Sequence, residues 1–185
     1  MSELTILFSA AQIDARVEEL AQEIDAAYQG IGTIHLIGVL RGGFIFIGDL
    51  ARKLTTPVTI DFAQVSSYGS GTNTSGTVSW QLIPDDVRDQ HTIIVEDIVD
   101  TGITLDVLRA HLLAQRPASL RVVTLLNKPH RRQRSIAVDF TGFVIDDEFV
   151  VGYGLDLAEK HRELPYIATL SVESRPRSWR CGENG

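Results

Sequence analysis

The stretch Val95-Glu96-Asp97-Ile98-Val99-Asp100-Thr101-Gly102-Ile103-Thr104-Leu105 (VEDIVDTGITL) decides how this chain reads. It continues Thr92 to Val95 (TIIV), an apolar, β-branched run of the kind that forms a strand buried on both faces. Three acids, Glu96, Asp97 and Asp100, then fall within five residues, at the expected carboxyl end of that strand. Carboxylates this close repel one another unless a cation or a hydroxyl stands between them. Thr101, Gly102 and Thr104 follow at once and open a helix expected from about Ile103 to Gln115. Helix-terminal amides, a permissive glycine and two hydroxyls make an anion cradle. Acids beside an anion cradle suit a phosphorylated sugar, the acids serving hydroxyls and metal, the amides serving phosphate. The plainer alternative is that Asp100 or Thr101 caps the helix and the acids are merely solvated.

Working outward, apolar residues at helical spacing (Ile13, Val17, Leu20, Ile24, Ala27) predict a helix over residues 10–29, stopped by Gly30. The run Ile34 to Leu40 (IHLIGVL) reads as a strand, broken by Arg41-Gly42-Gly43, with a second helix over 44–54. After Pro57, Val58 to Val65 reads as a strand. Residues 66–76 (SSYGSGTNTSG) have the composition of a mobile loop, and Thr77 to Leu82 alternates as a strand. Arg121 to Leu126 is the next strand, and FVI, FVVGY and YIATL are short strands between residues 143 and 170. Strands alternating with helices predict an α/β fold, a mostly parallel twisted sheet flanked by helices. In such sheets ligands bind outside the carboxyl ends of the strands, so those ends carry the candidate site.

Composition narrows the function. The chain has 185 residues, suited to a single domain, and 44% are hydrophobic. A net charge of −7 argues against a nucleic-acid partner, because such binding rests on clustered Lys and Arg. The one basic run, Lys128 to Arg134 (KPHRRQR), reads as a solvated loop. Cys181 is the only cysteine, so neither an internal disulfide nor a cysteine-based metal site is expected. The amino-terminal residues lack a basic region before a short apolar run and carry Glu3 and Asp14, unlike a signal peptide. No apolar run approaches the ~18 residues of a membrane span, so no membrane partner is expected and the default location is cytoplasmic. Neither GxxxxGK(S/T) nor GxGxxG occurs, which removes the P-loop and Rossmann readings.

VEDIVDTGITL resembles the phosphoribosyl pyrophosphate motif of type I phosphoribosyltransferases: apolar residues, two acids, two apolar residues, Asp, Thr or Ser, Gly, any residue, Thr. From about Ile34 to Leu170 the chain resembles the hypoxanthine-guanine phosphoribosyltransferases, on separate segments in the same order. The resemblance implies the type I phosphoribosyltransferase fold, with a core over about residues 30–142. It adds a small hood from the amino-terminal segment and about 143–170, leaving 171–185 as a peripheral tail. It implies magnesium as cofactor, a purine base and phosphoribosyl pyrophosphate as substrates, and a homodimer or homotetramer.

Residue by residue, the resemblance makes Asp100 the general base and gives Glu96 and Asp97 to the ribose hydroxyls and metal. Thr101, Gly102, Ile103 and Thr104 would clamp the 5′-phosphate. Leu40, Arg41 and Gly42, with a cis peptide between the first two, would bind pyrophosphate together with Arg162. Ser67 and Tyr68 would belong to a closing lid. Lys128 would donate to the purine's exocyclic oxygen, Phe149 stack on the base, Val150 offer backbone groups to its edge, and Asp156 bind a second metal. Ile103 stands at a position that is polar or basic in some members. Leu157 and His161 stand where many have aromatics, and the tail from Ser171 has no counterpart.

Overall fold

The computed structural model describes residues 4–67, 78–84 and 86–170. Strand β1 (Leu4–Phe8) leads into Ser9, which starts the first helix, α1 (Ala10–Ala27). The Ser9 hydroxyl accepts the Gln12 N–H while the Gln12 side chain accepts the Ser9 N–H, so two otherwise orphaned donors are satisfied. α1 buries Ile13, Val17, Leu20, Ala21 and Ile24 on one face. Each large apolar side chain taken out of water there is worth about 1.5–3 kcal/mol. The helix stops at Ala27, two residues short of the predicted end, with Gly30 at φ 82 turning the chain away. Arg16 ties the helix to the sheet by donating to the carbonyls of Thr141 and Gly142 at 2.8 and 2.9 Å.

β2 (Ile34–Val39) is buried along its whole length, as its unbroken apolar run requires of a central parallel strand. After it come α2 (Phe44–Lys53), β3 (Val58–Ser67), β4 (Val78–Leu82), β5 (His91–Val99), α3 (Ile103–Ala114), β6 (Ser119–Asn127) and β7 (Phe140–Val144). The main sheet has the order β4-β3-β2-β5-β6-β7, parallel from β3 to β7, with β4 antiparallel at its edge. A second antiparallel sheet joins β1 to β9 (Ile167–Leu170) and β9 to β8 (Val150–Val151).

Two expectations change. β5 does not stop at Val95: it runs through both acids to Val99 and keeps pairing with β6 as far as Val99↔Asn127. Charged residues are depleted in strands, so composition ends the strand too early; the ladder with β6 overrides that preference. The amino-terminal segment, expected in the hood without assigned structure, is a strand because β9 offers it a partner.

From β2 the chain passes to β3 on one side, whereas β5 to β7 lie on the other. The order therefore switches between β2 and β5, and a crevice opens beyond their carboxyl ends.

Candidate active site

Two adjoining cavities occupy that crevice, of about 490 Å³ and about 230 Å³. Gly42, Asp97, Ile98 and Asp100 line both. The smaller also takes Leu40 from the end of β2, Glu96, and the Thr101, Gly102 and Thr104 of the β5–α3 turn. The larger adds Arg41, Lys128, Phe149 and Val150, with Asp156 and Arg162 at its far side. The sequence-predicted residues thus converge from four strand ends. Ile103 lines neither cavity; its amide lies 3.5 Å from Thr101 Oγ1. Ser67 ends β3, and Tyr68 lies outside the described residues.

The Leu40–Arg41 peptide is cis. Gly42 presses its backbone against β5: a Cβ there would fall 1.5 Å from Asp97 Oδ2. Gly154 presses from the other side, its would-be Cβ 2.1 Å from the Gly42 carbonyl oxygen. The Arg41-Gly42 loop is therefore wedged between the acid pair and the turn Gly152-Tyr153-Gly154. Tyr153 anchors this turn by donating to Asp49 Oδ2 at 2.6 Å.

Glu96 and Asp97 are both buried. Burial pushes the Glu96 carboxyl well above its ordinary range, and the adjacent Asp97 charge adds to it. Burial raises Asp97 as well, partly offset by its bond to Glu96 and the Ile98 N–H. Asp100 lies just past the strand, and Arg131 Nε contacts its Oδ1 at 3.2 Å. The helix cap is neither Asp100 nor Thr101 but Gly102, at φ 80 and ψ 0 and without a side-chain cap bond. That conformation costs a residue with a Cβ roughly 1–2 kcal/mol, which explains the glycine. The acids are not a solvated face, since Glu96 and Asp97 are more than nine-tenths covered.

Lys128 is only 3% exposed. Its ammonium donates to the Glu148 carbonyl at 2.5 Å and lies 3.9 Å from Asp147 Oδ1. Burial pulls its pKa below the usual lysine value, against the opposing charges of Asp100 and Asp147. It is a cation at the back of a cavity whose neighbouring wall is Phe149 and Val150.

The model of the phosphoribosyl transferase domain matches residues 5–158. The chain belongs to the phosphoribosyltransferase family. It is 43% identical to the hypoxanthine phosphoribosyltransferase of Haemophilus influenzae over 91% of this chain and 96% of that one. It is 45% identical to the hypoxanthine-guanine phosphoribosyltransferase of Mycobacterium avium, over 90% and 85%. Among solved structures, a hypoxanthine-guanine phosphoribosyltransferase of Bacillus anthracis superimposes with a TM-score of 0.86 at 43% identity, over 90% and 99% of the two chains. This phosphoribosyltransferase is therefore a pentosyl-transferring enzyme of the hypoxanthine-guanine group, with the type I fold.

Several residues around this phosphoribosyltransferase's site escaped the sequence. The KPHRRQR run is solvated only in part: Pro129, His130, Gln133 and Arg134 are exposed, Arg131 and Arg132 half-buried and Lys128 buried. Arg132 donates to the carbonyls of Val99 and Asp100 and to the Asn127 side chain, and the amides of Gln133 and Arg134 bond to Thr101 O. It buttresses the β5–α3 turn from behind. Arg131 joins Asp100 to Asp147, and Glu159 contacts both Arg41 and Arg162. Basic residues directly after a strand-end lysine were the available signal for the arginines. For Asp147 and Glu159 there was none, since only the hood's folding back brings Asp147 to Arg131 and Glu159 to the cavity.

Proposed function

We propose that the chain transfers the phosphoribosyl group of phosphoribosyl pyrophosphate to N9 of hypoxanthine or guanine, forming the C1–N9 bond as the C1–pyrophosphate bond breaks. The observation that carries this reading is the shared crevice. A buried lysine ammonium and an aromatic wall stand at one end, a helix N-terminus with glycine at its cap position at the other, and carboxylates line the space between.

Lys128 carries only donors, so it can pair with the exocyclic oxygen of a 6-oxopurine but not with the amino group of adenine. Phe149 covers the ring face and Val150 meets the base edge. Asp100, between the base end and the phosphate end, takes the N7 proton as N9 attacks C1. Thr101 to Thr104 hold the 5′-phosphate on backbone amides and hydroxyls. Arg41, Gly42 and Arg162 hold the diphosphate.

Glu96, Asp97 and Asp156 offer the hard oxygen donors that Mg²⁺ takes. Among the described residues no three acids or imidazoles form a ready-made cage, so water and substrate oxygens would have to complete the coordination of a cation held there. Burial raises the carboxyl pKa values of Glu96 and Asp97, and a cation bound beside them would favour their charged forms. The chemistry supplied by the metal, when bound, is neutralisation of the charge that grows on the departing diphosphate. The Ser67-Tyr68 lid would exclude water from the activated sugar. The reading includes a cytoplasmic homodimer or homotetramer.

A spectrophotometric screen of purine and pyrimidine bases with phosphoribosyl pyrophosphate and Mg²⁺ tests the reading. Conversion of hypoxanthine and guanine, abolished by chelator, is the expected result. Xanthine as the preferred base would move the assignment within the group, and turnover of adenine or orotate alone would overturn it.

A further inference from the structure

The far side of the larger cavity carries a carboxylate that the transfer chemistry does not use. Leu157 and Lys160 exchange backbone hydrogen bonds, each 3.1 Å, so that Ala158 and Glu159 form the two central residues of a tight hairpin turn. Both have positive φ, 51° and 65°, a conformation that such turns normally give to Asn or Gly. The chain holds two side-chain-bearing residues there, and Asp156 Oδ2 fixes the turn by accepting the Glu159 N–H at 2.8 Å. The result is that the Glu159 carboxylate reaches across the cavity rim to 2.7 Å from Arg41 Nη1 and 3.5 Å from Arg162 Nη2. Arg162 is itself fixed by Asp156 at 2.7 Å and by the Gly154 carbonyl at 2.7 Å.

We propose that Glu159 is a built-in competitor of the diphosphate. In the empty enzyme its carboxylate takes the anion position between Arg41 and Arg162, and the diphosphate displaces it on binding. This rests on the reading of those two arginines as diphosphate ligands. The chemistry matches, because guanidinium donors accept carboxylate and phosphate oxygens in the same geometry. Displacement disturbs little: the Glu159 side chain is 63% exposed and belongs to a turn, not to the core. A competitor of this kind weakens the hold on the diphosphate, and it refills the subsite as the product leaves. It thereby favours release, a step that often limits turnover in enzymes with closing sites.

The test is calorimetric titration of magnesium pyrophosphate into the wild-type enzyme and the Glu159→Gln variant, which keeps the side chain's size and removes its charge. The variant should bind roughly 1.5- to fivefold tighter at about 50 mM salt, the size of an exposed ion pair. The gain should shrink at about 0.5 M salt, where such pairs are screened. In an Arg41→Gln background, which should bind pyrophosphate more weakly, the gain from Glu159→Gln should be largely lost. Tightening by Glu159→Gln supports the proposal even where wild-type binding is too weak to detect. Wild-type binding with unchanged or weaker binding by the variant overturns the proposal and leaves the arginine reading standing. No binding by either protein overturns both.

Discussion

Replacing Gly154 by alanine tests whether the hood turn holds the Arg41-Gly42 loop in place. Gly154 has φ 97, where a residue with a Cβ pays roughly 1–2 kcal/mol in backbone strain. The added methyl would lie 2.1 Å from the Gly42 carbonyl oxygen, and Cβ atoms essentially never approach within 3.0 Å, so one backbone must retreat by roughly 1 Å. Gly42 has no room to move toward β5, because its Cα already faces Asp97 Oδ2 at the distance that excludes a Cβ. The hood turn must therefore yield, and with it Arg162, which is bonded to the Gly154 carbonyl at 2.7 Å and whose own carbonyl accepts the Gly154 N–H at 3.0 Å. Misplacing a binding group by about 1 Å costs up to the order of 10²-fold in rate. The expected outcome is a fall of roughly 10- to 100-fold in kcat/KM for phosphoribosyl pyrophosphate, with stability lowered by about 1–3 kcal/mol. Initial rates at saturating base and varied phosphoribosyl pyrophosphate measure the first, and urea unfolding the second. Wild-type kcat/KM in a folded Gly154→Ala enzyme would refute the wedge.

Asp100→Asn should leave phosphoribosyl pyrophosphate binding in place and lower kcat by about 10²–10⁴-fold, the usual contribution of a positioned base; unchanged single-turnover rates would remove Asp100 from that role. Lys128→Ala should erode the preference for 6-oxopurines over adenine, a preference expected to be at least about a thousandfold in the wild type, as shown by kcat/KM ratios for the two bases. Asp25 holds the α2–β3 connection by accepting from Thr55 N, Thr55 Oγ1 and Thr56 N at 2.9, 2.7 and 3.0 Å. Burial tends to raise its pKa, but the Thr55 and Thr56 bonds outweigh that and leave it below the usual value. A folded-state pKa below the unfolded one means this stabilisation is complete above about pH 4 and is lost as the pH falls through the folded value. Asp25→Asn should thus be about 1–2 kcal/mol less stable at neutral pH and no different near the acid end, by urea unfolding across pH.

Much was legible from the chain alone. VEDIVDTGITL carries an apolar strand, acids and a helix start in consecutive residues, so these are local facts that need no partner. α1 was equally readable, because one helix face repeats along the sequence and ends near a glycine. What tertiary structure decided is where side chains from distant segments meet. β5 extends through its acids because β6 continues beside it, and pairing energy acts between strands rather than along one. Arg131 and Arg132 looked like surface charge, since a basic run is soluble wherever it stands; only the fold places the Val99 and Asp100 carbonyls and the Asp100 carboxylate against them. Nothing along the chain shows that positions 42 and 154 cannot carry a Cβ; that need appears only when two backbones separated by over a hundred residues come into contact. Glu159 meets Arg41 by the same logic, through a tight turn that its own sequence, Leu157-Ala158-Glu159-Lys160, gives no reason to expect. Local chemistry is written along the chain, whereas contacts between segments belong to the packing of the whole.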